Sequence, residues 1–306
     1  MRILMMGAGA LGGYFGARLA AAGHEVGFVA RGAHLAAMQT KGLRIESGRG
    51  DLHLDPVTAI ASPEEFDAPE IIFLLVKNYD LEEAATQLLP TLTPGSCVVT
   101  LQNGISAPER LGAIIGADRV VPGVAYIPAD VKAPGVIRHS AELERLIFGP
   151  GPKALDVVQR LVTALNATGC DASIAKNIQH TLWKKFIALA ALSAMTGLTR
   201  LNVGPLRDCP DTLTLFRQAQ EETEAVARAV CPDLPPGGTE AAMEMILNVP
   251  RHFHASMLDD LNNGKRLELN YLSGDVARLG AAHGVATPLH SFVTAMLQPY
   301  VGGPPD

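Results

Sequence analysis

The chain has 306 residues, 48% hydrophobic and 18% charged, which is enough apolar material for about two packed domains and too much for a disordered chain. Its 25 Lys and Arg against 31 Asp and Glu leave a net charge of −6 with no basic stripe, so nucleic-acid binding has no electrostatic basis. Cys97, Cys170, Cys209 and Cys231 are scattered without a CxxC spacing, as in a reduced cytosolic protein with no zinc site.

The opening MRILMM reads as a buried strand starting at Arg2 rather than a signal peptide, because only about six apolar residues precede the glycines. No stretch reaches the ~18 apolar residues of a membrane span. A helix over 11–22 and a strand over 26–30 follow. Then come a strand over 71–76, a helix over 81–89, a strand over 97–101, a short helix over 107–115 and a strand over 120–125. Such alternation predicts a parallel sheet covered on both faces. The segment 135–149 reads as strands closing the sheet edge. Beyond residue 170 helical periodicity takes over, at 179–195, 213–230, 240–249, 251–262 and 267–283, punctuated by CPDLPPGG at 231–238 and NNGK at 262–265. The expected fold is α/β: a parallel-sheet domain over 1–170 and an all-helical domain over 171–306, ending in a frayed GGPPD tail.

GAGALG at 7–12 is a G-x-G-x-x-G placed between a strand and a helix. Gly7 suits the tight turn, Gly9 a close approach of backbone to a pyrophosphate, and Gly12 close packing of helix on strand. The backbone from Gly9 through Ala10 and Leu11 to Gly12 then offers N–H groups to phosphates at the helix start. The second strand ends in Val-Ala-Arg, with Arg31 where an NAD-binding fold usually carries an acid. A guanidinium suits a 2′-phosphate, which favours NADPH. Lys77 in LLVKNYD and Asn103 in TLQNGI stand at the carboxyl ends of two buried strands, the edge where such sheets bind ligands.

Lys184 and Lys185 head an otherwise apolar helical stretch, TLWKKFIALAALSAM. A buried ammonium is costly, so each either reaches water or has a chemical task, and the residues alone leave both readings open. Other polar features read blandly. His252 and His254 would point about 200° apart on a helix and could not share a metal, and His139 and His180 show no partner in the sequence. Glu221, Glu222 and Glu224 read as a solvated helix face.

Taken in order, GAGALGG, VAR, LLVK, LQNGI, LWKK, LELNYLSGDV and HGVATP resemble the ketopantoate reductase family of NADPH-dependent 2-dehydropantoate 2-reductases, over nearly the whole chain. The resemblance implies a Rossmann domain, a helical domain like the carboxyl-terminal domain of 6-phosphogluconate dehydrogenase, and an active site in a cleft between them. It makes Lys185 the general acid that protonates the substrate's ketone oxygen, and has Asn103 position nicotinamide and substrate. It makes Glu268 the acidic catalytic-site residue that holds the substrate or orients the lysine, and gives further substrate contacts to Ser256 and Ser193. It further implies a cytoplasmic enzyme of pantothenate biosynthesis acting on a small 2-oxo acid, and admits a homodimer through the helical half. One departure stands out: Leu189 and Ser193 occupy positions where family members acting on ketopantoate typically carry asparagine. The alternatives are therefore a reductase of a more apolar 2-oxo acid, or an NADPH-binding sensor without catalysis.

Overall fold

The computed structural model describes residues 1–151 and 155–305. Its contacts divide the chain into two compact units, Met1–Gln102 with Ala107–Ile178, and Asn103–Ser106 with Gln179–Asp306.

The first unit begins with β1 (Arg2–Met6), α1 (Ala10–Ala21), β2 (Glu25–Val29), α2 (Gly32–Lys41), β3 (Leu43–Ser47), β4 (Leu52–Leu54) and β5 (Thr58–Ile60). It continues through β6 (Ile71–Leu74), α3 (Leu81–Leu88), β7 (Cys97–Thr100), α4 (Ala107–Ile115), β8 (Val120–Tyr126), β9 (Ala129–Ala133), β10 (Val136–His139), β11 (Arg145–Phe148), α5 (Leu155–Ala167) and β12 (Asp171–Ile174). Eight strands form the main sheet in the order β12-β11-β8-β7-β6-β1-β2-β5. All its pairings are parallel except β11 with β8. Alternate residues serve the two faces, as a strand's period of two requires. Ile3, Met5, Phe28, Ile71, Phe73 and Val99 pack with Phe15 and Leu19 of α1 and Leu161 and Leu165 of α5. Leu4, Met6, Val29, Ile72, Leu74 and Val98 pack with α3 and α4 through Leu81, Leu88 and Leu111. The central strands are continuous apolar runs because both faces are covered.

A second sheet, β4-β3-β10-β9, stands apart from the first. It corrects the expectation for 135–149. β10 pairs with β3 and β9 in this small sheet, and only β11 joins the main one. The first unit also runs on to Ile178 rather than 170, because β12 pairs in parallel with β11 and extends the main sheet by one strand.

In the second unit lie α6 (Ile178–Thr199), α7 (Val203–Asp208), α8 (Pro210–Val230), α9 (Gly238–Asn248), α10 (Ser256–Asn262), α11 (Ser273–His283) and α12 (Pro288–Leu297). Helix α6 is apolar nearly all round because it is buried on two sides. Trp183, Phe186, Ile187 and Ala190 pack with Val226, Val276 and Val293, while Ala191, Leu192 and Met195 pack with Leu206, Phe216 and Ile246.

Backbone hydrogen bonding explains where helix periodicity misleads. Residues 251–255 are not helical: the carbonyls of Arg251 and Phe253 accept from Gly204 and Val203, so they are unavailable to a helix ladder. The helix expected over 267–283 starts only at Ser273: Leu269–Tyr271 form a single 3₁₀ turn, and Leu272 at φ −115°, ψ −101° breaks the ladder. The Leu267 N–H donates to the Val301 carbonyl, and buried Gly303 donates to the Tyr300 carbonyl, so the carboxyl-terminal segment is packed as far as Gly303, within the tail expected to fray. Glu222 and Glu224 are not merely a solvated face. Glu222 accepts from the Leu289 and His290 N–H groups at the start of α12, and Glu224 from Gly237, Gly238 and Thr239 at the start of α9. Burial raises the Glu224 carboxyl, but the hydrogen bonds from Thr239, Gly238 and Gly237 outweigh it and leave the group below its usual range.

Candidate active site

The glycine loop sits at the carboxyl end of β1, where the strand order turns from β2 to β6, the ligand-binding point of such sheets. Gly7 has φ +108°, which a side chain would oppose. A Cβ on Gly12 would lie 2.2 Å from the Gly7 carbonyl oxygen, so loop and helix are in backbone contact there. A Cβ on Gly9 would meet nothing within 4 Å, which leaves that side of the loop open for an approaching group. Gly9 caps α1 without a side chain, and the N–H groups of Ala10, Leu11 and Gly12 in the first turn have no intrahelical acceptor. This cradle suits a pyrophosphate at the positive end of the helix dipole.

Arg31 caps α2 just past the end of β2, with its side chain 65% exposed and held only loosely, 4.0 Å from Glu83. Lys77 lies three residues beyond β6 and is half-buried. Two residues that position this region were not singled out from the sequence. Gln102 donates from Nε2 to the Leu74 and Val76 carbonyls (2.8 and 3.2 Å) and accepts from Thr100, tying the ends of β6 and β7 together. His34 donates from Nε2 to the Ala8 carbonyl (2.9 Å) and accepts the Gly135 N–H at Nδ1 (3.0 Å), linking the glycine loop to the turn between β9 and β10. A polar residue at a strand's carboxyl end was the available signal for Gln102; nothing local marks His34.

The second unit holds Lys185, Asn103, Glu268, Ser193 and Ser256. Lys185 is half-buried in α6, and its Nζ donates to Asn103 Oδ1 at 3.0 Å. Lys184, one residue earlier and about 100° round the helix, is exposed. Asn103 is held by its neighbours. Gly104 has φ +93° and fits where a Cβ would come within 2.6 Å of the Tyr271 carbonyl, while Ile105 packs against the helical core. Burial pushes the Lys185 ammonium down to about 8, and the Glu268 carboxylate acts in the opposite sense. Glu268 is itself buried. It precedes the short 3₁₀ turn Leu269–Tyr271 and so is not the first-turn helix carboxylate that the pattern suggests. Lys185, Asn103 and Glu268 thus form one electrostatic cluster. Ser193 is two turns along α6, about 12 Å up the helix axis, and is 1% exposed. Ser256, the first residue of α10, is exposed.

A nucleotide-binding α/β unit joined to a helical unit carrying a poised lysine defines an oxidoreductase of the Rossmann class. The family model for ketopantoate reductase PanE/ApbA matches residues 3–153, and that for its C-terminal part matches residues 177–301. The chain belongs to the ketopantoate reductase family. It is 32% identical to a 2-dehydropantoate 2-reductase of Mesorhizobium japonicum, over 97% of each chain. The crystal structure of a PanE/ApbA family ketopantoate reductase from Ralstonia eutropha superposes with TM-score 0.90 at 31% identity, over 98% of each chain. D-mandelate dehydrogenase, solved with NADH and anilino(oxo)acetate, shares the fold at TM-score 0.89 and 21% identity, over 98% of each chain. No helix among the described residues is long and apolar enough to cross a membrane.

Proposed function

We propose that the chain reduces 2-dehydropantoate to pantoate with NADPH, and that Lys185 is the general acid. The observation that carries this reading is the Lys185–Asn103 hydrogen bond beside buried Glu268. NADPH, when bound, supplies the hydride. Gly7, Gly9, Ala10, Leu11 and Gly12 bind its pyrophosphate, Arg31 its 2′-phosphate, and Lys77 and Asn103 its nicotinamide side. Hydride addition turns the ketone oxygen into an alkoxide. An ammonium at about 8 is charged at neutral pH, so it stabilises that developing charge and then surrenders its proton. The resulting neutral amine is well tolerated in apolar surroundings, and Asn103 Oδ1 keeps it aimed. Glu268 raises the lysine's proton affinity, and Ser256 and Ser193 complete the substrate contacts. The same reading places the enzyme in the reducing cytoplasm, in keeping with four free cysteines.

The pH profile follows in sign. Reduction needs the protonated lysine, so kcat/KM holds level below about pH 8 and falls tenfold per unit above it. The reverse oxidation needs the neutral amine and rises through the same range. Glu268→Gln removes the carboxylate that supports the charge and moves the break to lower pH. Initial rates of NADPH consumption across pH check this, and a wild-type profile flat through pH 9 would exclude Lys185 as the donor.

Arg31→Ala weakens NADPH by about 1.5–3 kcal/mol, roughly ten- to 150-fold, by removing charge-assisted bonds to the 2′-phosphate, and leaves NADH almost unchanged. Comparing KM for the two cofactors measures it. Equal losses for both would place the 2′-phosphate elsewhere.

A second reading concerns the substrate. Leu189, one turn beyond Lys185, packs against the helical core and has no hydrogen-bonding group to offer a polar tail. A more apolar 2-oxo acid is then the better substrate. A panel of 2-oxo acids ranked by kcat/KM separates the two readings.

A further inference from the structure

The loop after α8 meets the first turn of α6 in a cluster of three side chains. His180 Nε2 lies 3.0 Å from Asp233 Oδ2, and Cys231 Sγ lies 3.1 Å from Asp233 Oδ1. The three ligand atoms all fall within 4.8 Å of one another, the one His/Cys/Asp/Glu cluster of this kind among the described residues. All belong to the helical unit. This corrects one expectation: His180 has a partner, the Asp233 carboxylate.

The backbone fixes the positions. Cys231 ends α8 with its N–H on the Ala227 carbonyl, and its own carbonyl accepts the Leu234 N–H. That turn folds Asp233 back beside the thiol. The His180 ring arrives from a separate helix, 21% exposed, and the Asp233 side chain is 70% exposed, so one side of the cluster is open to water.

We propose that His180, Cys231 and Asp233 bind a zinc ion, with water as fourth ligand. Tetrahedral zinc, at about 2.0 Å from N and O and 2.3 Å from S, sets its ligand atoms about 3.3–3.5 Å apart. The cluster reaches that spacing by small side-chain rotations. Imidazole and thiolate select zinc or cobalt over magnesium or calcium. One thiolate and one carboxylate balance the dication, so the bound centre is neutral. Binding expels one proton: the thiol loses its hydrogen to solvent as the metal–sulfur bond forms, and the imidazole shifts its N–H from Nε2 to Nδ1. The ion ties the end of α8 to the start of α6, the helix that carries Lys185.

Cobalt(II) titrated into the full-length chain is the test, because a thiolate–cobalt bond gives a charge-transfer band and a tetrahedral site gives strong visible bands. The expected result is one equivalent bound, displaced by zinc, with both signals lost in Cys231→Ser and His180→Ala. Cys209→Ser, which removes the exposed thiol elsewhere, keeps them. Zinc also raises the melting temperature of the wild-type chain but not of Asp233→Asn, a readout that stands if Cys231→Ser folds poorly. No cobalt–thiolate band in the wild type, or a band that survives Cys231→Ser and vanishes in Cys209→Ser, overturns the site.

Discussion

Lys185→Ala lowers kcat by about 10³-fold or more while leaving NADPH affinity within a factor of about two. The size follows from two contributions lost together, proton donation and the cation that stabilises the alkoxide. The selectivity follows from placement. Gly7–Gly12 and Arg31, the residues proposed to hold NADPH, belong to the first unit, and Lys185 to the second. Trp183, Phe186 and Ile187 carry the packing of this turn of α6, so alanine at 185 leaves the helix seated. Single-turnover rates at saturating NADPH, with cofactor binding followed by fluorescence, give both quantities. Lys184→Ala is the internal control: its side chain is exposed, and its rate stays at the wild-type value. A Lys185→Ala enzyme that kept its rate would transfer the acid role to another group.

The glycine loop yields the second large effect, and two glycines part company in it. Gly12→Ala puts a Cβ 2.2 Å from the Gly7 carbonyl oxygen. That atom is backbone, so α1 must lift away from the loop, at a cost of about 1–3 kcal/mol in stability. NADPH affinity falls by about 10²-fold because the cradle is displaced. Gly9→Ala meets nothing in the protein, so the melting temperature stays put. The methyl group instead occupies the space where the pyrophosphate approaches, and NADPH affinity falls with stability intact. Thermal unfolding and cofactor titration on the two variants make the contrast. Wild-type NADPH affinity in Gly9→Ala would mean the phosphates do not pass over that face.

Much of this was legible in the chain itself, and the reason is period. Strands β1, β6 and β7 are short, nearly continuous apolar runs, which is what a strand covered on both faces of the sheet requires. The glycine spacing carries its own geometry, as the φ of Gly7 and the contact at Gly12 show. The second sheet was not legible. β4 is three residues, LHL, and too short to show a period, while the register that moves β10 away from the main sheet depends on pairing with β3, about ninety residues earlier. Glu222 and Glu224 look like surface charge until the partner helices arrive. His180 and Cys231 are about fifty residues apart and meet only because α6 and α8 are packed. Glu268 was named from the sequence but placed in the wrong element, since the break at Leu272 is invisible to helix periodicity.

The four residues Asn103–Ser106 belong by contact to the helical unit, although the chain on either side of them belongs to the other. The protein therefore cannot be cut into working halves at a single point. A fragment starting at Gln179 would keep Lys185 and Glu268 but not the amide that holds the lysine. Likewise, a chimera that exchanged helical units between relatives would have to carry this tetrapeptide along, transplanted into the middle of a foreign nucleotide-binding sequence. Selection acting on the helical unit thus reaches into the gene at two separate places, and an insertion or deletion between Gln102 and Ala107 would register as damage to a helix some eighty residues downstream.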